Sequence, residues 1–217
     1  IDEDFFLKLT PTIPFITGNP GFESEELLAS ELGWRARPHE RFSLALSLFY
    51  NDYDHLRTAE PGPPPFGLPV TFANGVEGHT YGAEFAAIWQ LTDYWRLRGG
   101  YTRMEKSLRV KPTSRDLNEG SVESNDPGHQ ATLQSSWDLP RNVRFDTVLR
   151  YIDALPAPYV ASYLLMDLNL AWRPAAWLEL SLTGQNLLDR QHLEFIPESP
   201  APREIQRSVY AKVAFQW

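Results

Sequence analysis

The 217-residue chain contains no cysteine and carries a formal charge of −8 at pH 7. The first fact excludes disulfide frameworks and thiolate metal sites, and the second argues against nucleic-acid binding, which needs a basic footprint. No apolar run reaches the ~20 residues of a membrane helix; the longest uncharged stretch near the C-terminus, Ala154–Met166, holds two prolines.

Residue 1 is Ile, so the chain is expected to be a mature form or a piece of a longer protein. Residues 1–23 read as a partial strand at Phe5–Leu9 followed by a loop over Thr10–Phe22, where three prolines fall. From Ser24 the chain alternates strand, tight turn, strand, long loop. Strands are predicted near 25–37, 42–57, 78–91, 95–107, 129–139, 143–153, 161–173, 177–188 and 206–217. Most have the ~9–11 residues of a tilted membrane-spanning strand.

The connectors alternate in length. Pro38–Arg41, Thr92–Tyr94, Pro140–Asn142 and Pro174–Ala176 are short, whereas Thr58–Glu77, Ser107–Gly128, Asp153–Val160 and Arg190–Ile205 are longer. Short turns at one end and long loops at the other is the asymmetry of an outer-membrane barrel, periplasmic against extracellular. Tryptophan follows the same division. Trp34, Trp89, Trp95, Trp137, Trp172, Trp177 and Trp217 all fall within a few residues of a short turn or of the C-terminus, as an aromatic girdle at one membrane interface requires.

Alternation divides each strand between two walls. One wall carries Leu44, Leu46 and Leu48, then Phe85 and Trp89, Leu133 and Trp137, Phe145 and Leu149, Leu164 to Trp172 at every second position, and Leu178, Leu180 and Leu182, with no charge. The other carries Glu84, Arg96, Arg98, Asp138, Arg144, Asp146, Arg150, Asp167, Arg173, Glu179 and Lys212. Mixed-sign rows cannot sit in hydrocarbon, so this wall faces a polar interior. The last strand, 206–217, puts Val209, Ala211, Val213, Phe215 and Trp217 on the apolar wall.

Several short strings carry a family resemblance: Asn19–Glu26 leading into Glu31–Gly33, Phe49–Tyr53, Tyr81–Phe85, Leu149–Tyr151, Asp167–Trp172, and Gly184–Asp189 before a loop with His192 and Glu194. In this order and spacing, residues 19–217 resemble the C-terminal part of a TonB-dependent outer-membrane receptor. The resemblance implies an all-β, antiparallel transmembrane barrel in which these nine or ten strands belong to a wall of about 22. It places residues 24–217 in the barrel and the plug domain and TonB-engaging segment outside this chain. It further implies location in the bacterial outer membrane, contact with its lipid, uptake of an iron–siderophore complex, cobalamin or a similar nutrient, and presentation of Val213, Phe215 and Trp217 to the barrel-assembly machinery. A ferric chelate that is anionic or rich in catechols suits Arg57, Arg103, Lys106, Arg109, Arg150 and Arg203 with Tyr53, Phe66, Phe72 and Phe195 by charge and stacking. The other reading is a self-contained small barrel, a channel or lipid-modifying enzyme, with residues 5–9 completing a tenth strand.

Enzyme chemistry finds little support. His129 precedes its strand while Ser135 and Ser136 lie several residues along it, out of hydrogen-bond reach of the ring. His192 with Glu194 does not make a metal-ligand spacing, and no cofactor or metal is expected.

Overall fold

The computed structural model describes residues 6–10, 13–120, 125–196 and 203–215. Its strands are β1 (Phe6–Thr10), β2 (Ile13–Thr17), β3 (Glu26–His39), β4 (Phe42–Glu60), β5 (Val70–Thr92), β6 (Trp95–Val110), β7 (His129–Leu139), β8 (Val143–Ile152), β9 (Leu155–Pro156), β10 (Tyr159–Val160), β11 (Tyr163–Ala175), β12 (Leu178–Gln185), β13 (Gln191–His192), β14 (Ile205–Gln206) and β15 (Ser208–Phe215). The protein is all-β, as the alternation predicts. The main sheet follows chain order, β3-β4-β5-β6-β7-β8-β11-β12-β15, while β9–β10 and β13–β14 are separate small hairpins in the loops.

The sheet is open. Among the described residues no pair joins β15 to β3 or to β1, and β1 pairs instead with β2. This corrects the small-barrel reading in which residues 5–9 complete a closed wall. The loop predicted over Thr10–Phe22 is also corrected, because Ile13–Thr17 is a strand that runs parallel to β5 through Ile16↔Val70 and Thr17↔Thr71.

The chain divides into two compact units. One gathers Ile1–Glu31, Phe49–Tyr81 and Glu105–Asn125; the other gathers Leu32–Leu48, Gly82–Met104 and Asp126–Trp217. In the second, the register fixes the faces without ambiguity. Leu133↔Leu149, Trp137↔Phe145, Leu149↔Met166, Phe145↔Leu170, Leu170↔Leu182 and Leu180↔Val213 pair apolar with apolar on one face. On the other, Arg98↔Gln134, Asp138↔Arg144, Asn169↔Asp146 and Ser181↔Lys212 pair polar with polar. A slip of one residue would exchange these walls completely.

The short turns follow β3, β5, β7 and β11 at Glu40–Arg41, Asp93–Tyr94, Pro140–Asn142 and Ala176–Trp177. In the third, Arg141 and Asn142 both take left-handed φ, 65° and 58°, and the Asn142 amide donates to the Arg173 carbonyl at 3.3 Å. Indoles gather at these turns. Trp95 and Trp137 stack at 4.3 Å, and both indole N–H groups donate to Ser135 Oγ at 3.0 Å. That explains a hydroxyl on the apolar wall: it satisfies two ring donors at the level where lipid meets water. Trp177 stacks on Phe215, centroids 6.1 Å apart. Trp217 lies outside the described residues.

β4 and β5 reach 19 and 23 residues, so the loop predicted over Thr58–Glu77, which falls in the first unit, shrinks to 61–69. The breakers that suggested a loop are built into the pairing. The Asn74 amide donates to the carbonyls of Glu23 (2.9 Å) and His55 (2.6 Å), and its oxygen accepts from Glu23 N–H. A Cβ on Gly75 would collide with the Ser114 side chain, and Gly78, at φ 150°, lies against the Ser107 carbonyl. The segment after β6 is fastened here by two carboxylates. Glu60 accepts from Thr58 Oγ at 2.8 Å, from Ser114 Oγ and from Arg115 N–H at 2.6 Å, and Asp116 accepts from the N–H groups of Ala59 and Gly120, both at 2.8 Å. Val76, with no exposed surface, Leu56, Thr58 and Asp116 are buried together in this unit.

Two outcomes are expected. Leu168→Arg or Leu180→Arg should cost ~2–4 kcal/mol when the barrel folds into lipid, because each puts a charge into the apolar wall, whereas Gln134→Arg on the polar wall should be mild; equal tolerance in refolding titrations would mean that the walls are assigned the wrong way round. Asp116→Ala leaves the half-buried N–H of Ala59 and the buried N–H of Gly120 without this acceptor and should loosen residues 111–120 by about 1–3 kcal/mol, read as faster amide exchange at Ala59 and Gly120 while β7 and β8 stay protected.

Candidate functional site

The residues expected to meet a ligand separate between the two units. In the first, Arg57 lies with its guanidinium carbon 5.4 Å from the centre of the Phe72 ring, and its own N–H donates to Glu25 at 3.0 Å. At that distance the cation is within reach of the ring's negative face. The same part of the chain holds the strap Asn19–Glu25, fixed by Asn19 Nδ2 donating to the Phe72 carbonyl at 3.0 Å. The aromatic ring therefore sits on a pinned backbone.

Tyr53 and Arg109 meet in one cleft of about 320 Å³, lined also by Asp52, Asp54, Glu77, His79 and Ser107. Arg109 is committed there to Glu77, at 2.7–2.8 Å. Asp54 accepts from Lys111 Nζ at 2.6 Å and from His55 N–H at 2.7 Å. The Lys111 hydrogen bond, followed by that backbone N–H, holds the Asp54 carboxyl below the usual carboxylate range. Because its folded value is depressed, the contact is at full strength above the ordinary carboxylate range and is lost as pH falls through the lowered value. His55 takes φ 59°, a left-handed conformation uncommon for a residue with a side chain; its ring lies 3.4 Å from Glu23 and 3.8 Å from Asp54. Lys106 lies on the far part of β6. Phe66 is 84 % exposed on the proline-rich loop 61–69, which closes on itself through Gly62 N–H to the Gly67 carbonyl at 2.8 Å.

In the second unit, Arg150 projects from the polar wall of β8 and pairs with Asp167 at 2.7 Å. Asp167 also accepts from Asn186 N–H at 3.0 Å, where the chain leaves β12 at φ 55°. Arg103 stands elsewhere. Its register partner is His129, in the row of Tyr101↔Ala131 and Gly99↔Leu133, so it continues the outward face of β6 and not the inward one. The two-residue period could have told this from Leu97 and Gly99; charge alone suggested a ligand contact. Phe195 and Arg203 are exposed in the loop around β13 and β14.

The serines and histidines weighed for catalysis are dispersed. Ser135 sits beneath Trp95 and Trp137, Ser136 opposes Arg96, and the His129 ring meets Tyr101 OH at 2.7 Å. Among the described residues no group of three His, Asp or Glu could hold a metal ion. Sequence reasoning missed the fastening carboxylates Glu60 and Asp116, since only their distant partners in Thr58, Ala59, Ser114, Arg115 and Gly120 reveal their role.

Comparison with known proteins agrees with this geometry. Residues 2–187 match the family model described as TonB dependent receptor-like, beta-barrel. Among solved structures, the chain is similar to the ferric enterobactin receptor PfeA of Pseudomonas aeruginosa, with 16% identity, a TM-score of 0.71, and coverage of 92% of this chain and 32% of that one. It is similar to the FrpB iron transporter of Neisseria meningitidis, with 14% identity, TM-score 0.73, and coverage of 93% and 32%. The ferric-catecholate import receptor Fiu of E. coli gives 20% identity, TM-score 0.67, and coverage of 89% and 28%. The chain thus spans about a third of the length of these structures. The open sheet, the apolar and polar walls and the family match together show that the chain belongs to the TonB-dependent receptor β-barrel family, whose members are transporters of the bacterial outer membrane and not enzymes.

Proposed function

We propose that these strands are the C-terminal part of a receptor barrel that takes up a ferric siderophore across the outer membrane, with cobalamin or a similar scarce nutrient as the second cargo class. Residues 24–217 are the barrel portion and residues 1–23 an extracellular segment that holds β1 and β2; a plug domain and the segment that engages TonB belong to another part of the full-length protein. The observation that carries the cargo class is Arg57 over Phe72 on a pinned strap, which sets a guanidinium beside an aromatic ring, the pair of groups that suits an anionic, aromatic chelate. Three of the similar structures are ferric enterobactin, ferric-catecholate and ferric yersiniabactin receptors, which supports the same class. Tyr53, Lys106, Arg109, Arg150, Arg203 and Phe195 are the further contacts of this reading, and Arg103, on the outward row, is the weakest of the set.

The test is binding to the purified full-length receptor. Arg57→Ala should weaken a ferric catecholate roughly ten-fold, about 1.4 kcal/mol, while Arg57→Lys, which keeps the charge and loses the forked guanidinium donors, should recover only part of it. Tight cobalamin binding that Arg57→Ala leaves unchanged would assign the cargo to the second class.

We infer also that β15 is the assembly signal. Val213 and Phe215 lie on the apolar wall opposite Leu180 and Leu178, and the alternation continues to Trp217. Trp217→Ala in the full-length protein should lower outer-membrane abundance strongly, and Trp217→Phe should be nearly silent because an outward aromatic is kept. Quantitative blots of membrane fractions decide it, equal abundance of Trp217→Ala and wild type being the result that removes the signal from this strand.

A further inference from the structure

The loop between β12 and β15 contains a titratable group that the uptake reading does not use. His192 is buried, its ring stacked on Tyr163 with centroids 4.5 Å apart. Nε2 lies 3.4 Å from Glu194 Oε1, whereas Nδ1 is buried without a hydrogen-bond partner and has the Asp189 carboxylate at 3.9 Å. Asp189 is itself held in place: its other oxygen accepts from Gln191 N–H at 3.3 Å, and its N–H donates to the Asn186 carbonyl at 3.3 Å.

A neutral imidazole has one donor and one acceptor nitrogen. With Nε2 donating to Glu194, the Nδ1 lone pair points into a buried space beside a carboxylate, which leaves a polar group unpaired. A second proton turns Nδ1 into a donor facing Asp189, so the imidazolium meets an anion at each nitrogen. The other charged or titratable groups around the ring do not reverse this. Tyr163 lies beneath it on β11. Arg150 of β8 is held by Asp167 at 2.7 Å. Across the β13–β14 pair, Ile205 opposes His192 between Glu204 and the residues leading to Arg207, whose N–H donates to the Arg190 carbonyl at 3.2 Å.

We propose that His192 is a proton-operated latch: protonated, it ties Asp189 and Glu194 to one ring and closes the loop around β13; neutral, it holds only Glu194 and the loop opens more readily. The latch controls the backbone that leads to Phe195, three residues along the chain, and so sets how that exposed ring is presented. The sign follows from the geometry. Stability of the loop is greatest in acid and falls as pH rises and the proton leaves.

The experiment uses the full-length receptor in lipid nanodiscs and hydrogen exchange of the amides in residues 188–196, corrected for intrinsic chemistry, near pH 5.5 and near pH 8. The wild type should exchange about five-fold more slowly in acid, the size of one partly exposed ion pair. Asp189→Asn keeps the ring, its stack and Glu194 but removes the second anion, and should shrink the difference; His192→Gln should give the faster rate at both pH values, with β7 and β8 unchanged throughout. A pH effect that is undiminished in Asp189→Asn, that survives in His192→Gln, or that is missing from the wild type, overturns the latch.

Discussion

A strand in hydrocarbon has no water to satisfy its backbone, so every N–H and C=O must find a neighbouring strand. The second unit obeys this rule closely. β7 and β8 keep one unbroken register from Gln130↔Ile152 to Leu139↔Val143, and β8 and β11 do so from Tyr163↔Ile152 to Trp172↔Val143. With the backbone committed to the ladder, chemistry is left to side chains, and the two-residue period decides which of them reach the interior. The same rule makes the free edges of β3 and β15 incompatible with this sheet standing alone in lipid, since an unpaired edge is not tolerated there.

Departures from the ladder gather in the first unit, where other groups can satisfy a freed backbone. His55 takes a left-handed φ, and its carbonyl is met by the Asn74 amide; Ala59 turns its N–H to Asp116 instead of to a strand. Glu60 and Asp116 each gather several donors, so the segment 111–120 is held by charge-assisted hydrogen bonds, which are stronger than neutral ones. Such a fastening presents side chains on a fixed backbone, and a preorganised surface loses less entropy on binding.

What the sequence made legible and what it hid follow from the same distinction. Alternation of apolar and polar residues located β7, β8, β11 and β12 to within a few residues, and the rows of leucine against arginine and aspartate announced the two walls before any pairing was seen. The extensions of β4 and β5 stayed hidden because Asn74, Gly75 and Gly78 are turn residues by local propensity, and only their contacts with Glu23, Ser114 and Ser107 show why a strand contains them. β2 was hidden for a similar reason. Its partner, Val70–Thr71, lies 54 residues away from Ile16–Thr17, and a parallel pair at that separation leaves no local pattern. Of the candidate contacts, Arg57 and Phe72 were found by chemical type and brought together by the fold, whereas Arg150 proved to be engaged with Asp167.

That engagement bears on the charge that the polar wall presents. Arg144 with Asp146, Arg150 with Asp167 and Arg173 with Glu179 form ion pairs of 2.7–3.3 Å along the polar face. Pairs this exposed contribute little to stability, about 0–1 kcal/mol each, but they cancel one another's field over short distances. Arg96 and Arg98 differ. Their partners across β7 are Ser136 and Gln134, which carry no charge, and Arg96 Nε is buried without a hydrogen bond among the described residues. Across β7, then, these two guanidinium groups meet hydroxyl and amide side chains and no carboxylate. A net charge of −8 describes solubility and long-range repulsion; charge on the polar wall is a local matter of register and side-chain reach, as Arg150 shows by standing opposite Thr132 and Leu165 and pairing diagonally with Asp167.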